Sequence, residues 1–62
     1  MARRTTYKGV AVGDRATGLH SATSNPVEGV CTHIDLFHRF AYVLSDEDRL
    51  FRVSLKTLAR AA

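Results

Sequence analysis

The chain has 62 residues and a mass of 6.8 kDa, which allows one domain and excludes folds built from two halves or around a large enclosed active site. With 45% hydrophobic and 24% charged residues, it is too apolar for a disordered chain. Nine Lys and Arg residues against six Asp and Glu residues give a net charge of +3, which favours anionic partners.

The small size of the domain makes self-association part of the expectation. A domain of this length buries only about 60% of the surface that its unfolded chain exposes, and disulfides, a metal or oligomerisation commonly add the missing stability. Cys31 is the only cysteine, so no internal disulfide can form, and we expect a homo-oligomer.

The sequence also bears on location. No apolar run approaches the roughly 20 residues of a membrane span, and the basic residues at the start are not followed by the apolar segment of a secretory signal. We therefore expect no membrane contact and a cytoplasmic location, where an unpaired thiol stays reduced.

The first residues are predicted to lie outside the folded unit. Residues 1–6 are polar and basic and are expected to form a flexible N-terminal arm, with residues 7–62 as the domain. Tyr7–Val12 is a short β-prone stretch that ends at the turn signal Gly13–Asp14. Arg15–Leu19 is the next short segment.

A loop precedes the clearest strand of the sequence. His20–Glu28 is rich in turn-forming residues and contains the only proline. Gly29 then opens a strand over Val30–Leu36, and this glycine is expected to allow a bulge or a close backbone approach. Strict alternation gives this strand two faces, with Val30, Thr32, Ile34 and Leu36 on one and Cys31, His33 and Asp35 on the other.

The following strand is apolar on both faces. Phe37–Arg39 makes a tight connection to the strand Phe40–Ser45. One face of this strand is expected to pack on the core and the other to be covered by a loop or another subunit. The residues that alternate here are Phe40, Tyr42 and Leu44 on one face and Ala41, Val43 and Ser45 on the other.

The chain is predicted to end with a strand and a helical turn. The acidic turn Asp46–Asp48 leads into the strand Arg49–Ser54. Ser54 can then cap a short C-terminal helical turn, whose shared face is formed by Leu55, Leu58 and Ala59. At most five short strands in so few residues favour a sheet closed on itself, so we expect an all-β, small five-stranded barrel.

The order of these signals resembles that of SH3-like barrels over residues 10–59. The resemblance is carried by Val12-Gly13-Asp14, by the Gly29–Asp35 strand, by the acidic hairpin and by the ending Val53–Leu58. Such markers recur in KOW-type modules, in phage and plasmid regulators and in the type II, plasmid-borne dihydrofolate reductases. The resemblance implies an SH3-like fold in a small accessory protein of the phage or plasmid type.

The reductase family can be compared residue by residue. That family builds its pore from a Val-Gln-Ile-Tyr segment on a late strand and from a lysine after a Gly-Asp-Arg turn. Here the late strand Leu50–Ser54 has neither the glutamine nor the tyrosine, and Ala16-Thr17-Gly18 follow the turn without a lysine. We therefore expect no enzyme activity and no cofactor, and a multimeric reductase is a third, less favoured alternative.

The leading hypothesis is a nucleic-acid-binding or regulatory module. Basic side chains make salt-dependent contacts with phosphates, and aromatic side chains such as Tyr7, Phe40 and Tyr42 can stack on DNA or RNA bases. The candidate contacts are Arg3, Arg4 and Lys8 near the start of the chain and Arg15, Arg39, Arg52 and Lys56 in the domain, with Arg60 as a further cation.

The aromatic residues also fit a second function. Because Phe40, Tyr42 and Leu44 occupy one strand face, they form a candidate protein interface. The alternative is therefore a protein-interaction or homo-oligomeric assembly module that docks on a host protein.

A metal or nucleophilic site has weaker support. On the predicted alternation Cys31 and His33 share a strand face, and His38 lies just past the turn. Paired Cys-x-x-Cys or His-x-x-x-His elements are missing, and a lone thiol is most often a buried structural group. We expect no metal site and no Cys-His nucleophile.

Overall fold

A computed structural model describes residues 6–61, which form seven strands. The strands are β1 (Thr6–Tyr7), β2 (Val10–Ala11), β3 (Arg15–Leu19), β4 (Pro26–Asp35), β5 (Phe40–Ser45), β6 (Leu50–Ser54) and β7 (Ala59–Arg60). The predicted all-β class is confirmed. Among the described residues there is no helix with the length and apolar character needed to cross a membrane.

The strands from β3 to β6 form an antiparallel meander, and β7 returns to pair with β3. The resulting sheet has the order β6-β5-β4-β3-β7, while β1 and β2 form a separate two-stranded sheet. An isolated bridge between His20 and Val53 and a hydrogen bond from Ser21 N to Arg52 O (2.9 Å) link the end of β3 to β6. The strand ladders within residues 6–61 do not close into a barrel, so the predicted five-stranded barrel is not confirmed.

A tight hairpin interrupts the predicted strand Tyr7–Val12, which is therefore wrong as one continuous element. Lys8 and Gly9 have positive φ angles of 52° and 79°, as in a two-residue type I′ turn. The turn pairs Tyr7 with Val10, and the chain reverses direction there. Val10 is fully buried in the core.

The predicted loop His20–Glu28 is shorter in the structure, because β4 already begins at Pro26. Pro26 pairs with Leu19, and His20 N donates a hydrogen bond to Asn25 O (2.8 Å). Proline lacks the N–H of a ladder hydrogen bond, and the first residue of a strand is one of the few places where a sheet accepts it.

A β-bulge at Thr32 changes the faces of β4. Cys31 pairs with Val43 and His33 pairs with Tyr42, so Thr32 is the additional residue on its strand. The extra residue moves the alternation by one position, so that Val27, Gly29, Cys31 and Ile34 are buried while Val30, Thr32, His33 and Leu36 are half-buried or exposed. The predicted shared face of Val30, Thr32, Ile34 and Leu36 is therefore wrong.

The core is small and formed by residues from β2 to β6 and from the turns that follow β6. Its buried members are Val10, Ala16, Val27, Cys31, Ile34, Ala41, Val43, Val53, Leu55 and Leu58. On β5 the inward residues are Ala41 and Val43, so Phe40, Tyr42 and Leu44 lie on the opposite side of the sheet. We call this side of β3–β6, which faces away from the core, the outer face.

Two overlapping turns connect β6 to β7. Thr57 N donates to Ser54 O (3.1 Å) and Leu58 N donates to Leu55 O (3.3 Å), and both leucines are buried. The predicted helical turn is not confirmed. Ala59 is exposed and begins β7 instead of sharing the leucine face.

Candidate nucleic-acid interface

A row of aromatic rings crosses the outer face, and the strand register explains its order. Tyr42 pairs with His33 on one side and with Arg52 on the other. The bulge at Thr32 is the reason that the His33 ring lies on this face, since Cys31 and His33 would share a face if Thr32 were a regular strand residue. The ring centroids of His33 and Tyr42 are 6.0 Å apart.

The row continues through β5 into the turn that precedes it. Phe40 meets Tyr42 edge-on at 5.2 Å, and His38 lies nearly parallel to Phe40 at 5.9 Å. Phe37 meets His38 edge-on at 4.9 Å. We call these five residues, Phe37, His38, Phe40, Tyr42 and His33, the aromatic row.

Arg52 joins a positive charge to this row. Its guanidinium carbon lies 5.5 Å from the centre of the Phe40 ring, within the range of a cation–π contact. Its Nε donates a hydrogen bond to Ser21 Oγ (3.2 Å). Since its two described partners are a ring and a neutral hydroxyl, the charge of Arg52 is not cancelled by them.

Asp35 organises the turn Leu36–Arg39 between β4 and β5. Its carboxylate accepts a hydrogen bond from His38 N (3.0 Å) and contacts His38 Nδ1 (2.9 Å). These two hydrogen bonds, first that of the backbone N–H and then that of the ring, hold the pKa of Asp35 below its ordinary value. Arg39 closes the turn in the left-handed region, with a φ of 63°.

The predicted cations Arg39, Arg52, Lys56 and Lys8 lie close together. One shallow cleft on the surface contains both Arg39 and Arg52, and it is lined by Ser21, His38, Arg39, Phe40, Arg52 and Ser54. A second cleft contains both Arg39 and Lys56, and it is lined by Tyr7, Leu36, Arg39, Ser54, Leu55 and Lys56. Lys8 reaches the second cleft, because its Nζ donates to Lys56 O (3.0 Å).

We call Lys8, Arg39, Arg52 and Lys56 the basic end of the domain. In the part of the chain that the structure describes, none of the four forms an ion pair with a carboxylate. Asp35, the carboxylate beside them, is occupied by His38. A positive surface with adjacent rings is the combination that nucleic-acid-binding surfaces use.

Arg15 is not part of the basic end. It pairs with Val30, which pairs with Leu44 near the other end of β5, and its guanidinium lies 3.6 Å from Glu28 and 3.4 Å from Asp46. The hydrogen bond and the charge of Asp46 raise the pKa of Arg15 above its ordinary value. Its charge is therefore balanced locally.

Two further predicted contacts, Arg3 and Arg4, lie outside the described residues together with most of the predicted arm at 1–6. Thr6, the last residue of that predicted arm, belongs to β1.

Cys31 and His33 cannot cooperate, which corrects their predicted shared face. Cys31 is fully buried and His33 is exposed on the opposite side of the sheet. Burial raises the pKa of the Cys31 thiol and so disfavours the thiolate that a metal ligand or nucleophile requires. Residues 6–61 contain no group of three or more His, Cys, Asp or Glu side chains that could hold a metal ion.

Sequence reasoning missed the roles of Phe37, His38 and Ser21 in this surface. The Asp35-x-x-His38 spacing across a short turn was the available signal, because an aspartate side chain often caps the backbone of its own turn. Ser21 had no comparable signal, since it meets Arg52 from 31 positions away in the chain.

Comparisons of the chain with protein-family models, with curated proteins and with solved structures find no match.

Proposed function

We propose that this chain is a small non-enzymatic module that binds nucleic acid, DNA or RNA, through its basic end and the adjoining aromatic row. The observation that carries the proposal is the placement of Arg52 over Phe40, in a cleft that also contains Arg39 and His38. These side chains come from β6, β5 and the turn between β4 and β5, so the fold, and not the sequence order, brings them together.

Charge separation within the domain supports the proposal. The basic end offers four cations without carboxylate partners among the described residues, while Arg15 is paired with Glu28 and Asp46 at the other end of the outer face. A phosphate backbone is attracted to the first region and repelled by the acidic turn Asp46–Asp48. Such an arrangement orients a polyanion before any specific contact forms.

The strand order supports an SH3-like barrel as the underlying fold. A four-stranded meander, followed by a turn and a short last strand beside the first strand of the meander, is the order expected for that fold. The bridge between His20, which follows β3, and Val53 of β6 joins two parts of the chain that are not neighbours in the sheet order. We propose that the chain is an SH3-like accessory or regulatory module on this basis.

The test is direct binding of the chain to labelled mixed-sequence DNA and RNA over a range of salt concentrations. We expect affinity to fall steeply with salt, because bound phosphates release counterions. Removal of Arg3 and Arg4 is expected to reduce this salt dependence, because the sequence predicts phosphate contacts for both residues. Affinity no better than millimolar at low salt contradicts the proposal.

A second candidate function, self-association, rests on a different part of the outer face. Val30, Leu44 and Leu50 lie side by side in one row of paired residues, and Leu50 is 57% exposed. We propose this row as the contact of a homo-oligomer. Sedimentation is expected to give a mass of at least twice 6.8 kDa, and Leu50→Lys is expected to return it to 6.8 kDa. A monomeric wild type contradicts this candidate and leaves the first untouched.

A further inference from the structure

Phe37 is the feature of the surface that binding of a phosphate backbone alone does not explain. It lies in the turn Leu36–Arg39 and is 87% exposed, more than any other large hydrophobic side chain in the described part of the chain. Most of its ring is therefore accessible to a ligand. A single exposed apolar residue is ordinary by itself. Phe37 is informative because of its position near the cations of the basic end.

The turn beneath Phe37 is held by its own hydrogen bonds. Asp35 bonds both the backbone and the ring of His38, which follows Phe37 directly. The Phe37 ring contacts the His38 ring at 4.9 Å and an interplanar angle of 86°. His38 is held by its hydrogen bonds to Asp35 and stacks on Phe40. Phe37 therefore packs against a well-held ring at the end of the aromatic row.

Phe37 adjoins a cleft that contains two cations, because the His38 ring that it contacts lines that cleft. Arg39 is two residues further along the same turn, and the cleft next to it contains Arg52. An exposed aromatic ring is therefore one residue away from a cleft with two guanidinium groups that no described carboxylate neutralises. A ligand that satisfies both features carries a flat unpaired ring next to negatively charged groups.

We propose that the nucleic acid bound at this surface is single-stranded, with one base stacked on Phe37 and adjacent phosphates on Arg39 and Arg52. The inference rests on the proposed function. In a duplex each base is covered by its neighbours, so the face of an aromatic side chain finds no partner there. In a single strand every base has a free face, and stacking on an aromatic side chain adds affinity with little dependence on sequence.

The test compares a labelled oligothymidylate with a mixed-sequence duplex of the same length. The variants are Phe37→Leu, which keeps an apolar side chain but removes the aromatic face, and Phe37→Ala. Leu19→Ala is the matched control, because Leu19 is also an exposed apolar residue and lines neither cleft of the basic end. Circular dichroism of each variant verifies that the fold is intact.

We expect the wild type to bind the single strand at least about fivefold more tightly than the duplex, and Phe37→Leu to remove at least about fivefold of that affinity. Leu19→Ala is expected to retain wild-type affinity. In nuclear magnetic resonance spectra of the complex, the base protons of the stacked nucleotide are expected to shift upfield, as ring currents require.

The outcomes separate this inference from the proposed function. Equal affinity for duplex and single strand, with Phe37→Leu binding like the wild type, overturns the single-strand inference and leaves nucleic-acid binding in place. The inference is also overturned if Phe37→Leu binds like the wild type while Phe37→Ala binds more weakly. Phe37 would then contribute an apolar contact and not ring stacking. Binding of neither oligonucleotide overturns both.

Discussion

The guanidinium of Arg52 lies over the ring of Phe40, although the two residues are not directly opposite each other on β5 and β6. Phe40 pairs with Ser54, and Arg52 pairs with Tyr42, so the contact is diagonal between β5 and β6. Diagonal neighbours on one sheet face lie within reach of long and aromatic side chains. This contact links the aromatic row to the basic end, and the proposed function depends on it.

Gly29 and Gly18 are expected to respond differently to alanine. A Cβ at Gly29 would overlap the carbonyl oxygen of Leu44 and lie 2.7 Å from its carbonyl carbon, and the backbone cannot move away without breaking the β4–β5 ladder. We therefore expect Gly29→Ala to lower the free energy of unfolding by about 3 kcal/mol or more in urea denaturation.

A Cβ at Gly18 would overlap the side chain of Val53 and not a backbone atom. Because a side chain can be shortened by mutation, this contact can be tested with a second substitution. Gly18→Ala is expected to cost about 1–3 kcal/mol. The double variant Gly18→Ala/Val53→Ala is expected to lose less stability than the sum of the two single variants, because Val53→Ala makes the space that the new methyl needs. A strictly additive double variant would disprove this contact.

The bulge at Thr32 leads to a prediction about deletions. Removal of Thr32 keeps Cys31 opposite Val43 and His33 opposite Tyr42, so every other side chain of β4 stays on its present face. We expect the deletion variant to fold cooperatively. Deletion of Glu28, in the regular part of β4, is the control and is expected to abolish folding, because it reverses the faces on one side of the deletion.

Thermal unfolding followed by circular dichroism distinguishes the two deletion variants. If the Thr32 deletion unfolds the chain as completely as the Glu28 deletion, the bulge does not have the role that the register assigns to it.

The Asp35–His38 pair leads to a prediction about acid. Because the pKa of Asp35 is lowered in the folded chain, its carboxylate adds stability above the unfolded value of about 3.9, and this contribution is lost as the pH falls through the lower folded value. Asp35→Asn is therefore expected to be less stable than the wild type near pH 6, with the difference shrinking below about pH 4.

Melting temperatures of both proteins between pH 6 and about pH 2 measure this difference. Glu47→Gln is the control for the change in net charge. It removes a carboxylate from the turn that follows β5, whereas His38 lies in the turn that precedes β5. A difference between Asp35→Asn and wild type that is constant over the whole pH range would show that Asp35 does not hold the turn through its charge.

Period-two alternation was enough to predict the placement of Phe40, Tyr42 and Leu44, because β5 is regular along its length. It failed on β4, since an extra residue in a strand leaves no mark in a sequence where Val30, Thr32 and Ile34 fit a regular pattern equally well. The hairpin at Lys8–Gly9 was missed for a related reason. Its glycine was visible, but the flanking residues also fit one continuous strand.

The candidate site was predictable residue by residue but not as a surface. Basic residues and aromatic residues could be named from the sequence, whereas their grouping depends on strand register. Arg15 is the clearest example. Its partner Asp46 is 31 positions away in the chain, so the sequence does not show that Arg15 is paired and lies outside the basic end. Arg39 and Arg52, 13 positions apart, meet in one cleft for the same reason.

The central claim is that nucleic acid binds at the basic end, and two double variants with the same change in net charge test it most directly. Arg39→Gln/Arg52→Gln removes two cations of the basic end, and Arg15→Gln/Arg60→Gln removes two cations elsewhere. For a labelled oligothymidylate at low salt, we expect the first to weaken binding roughly tenfold and to reduce the slope of log affinity against log salt by about 0.7 for each phosphate that the variant no longer neutralises. We expect the second to stay within about twofold of the wild type. Equally weakened binding in the two double variants would show that affinity follows net charge alone, which contradicts a site at the basic end.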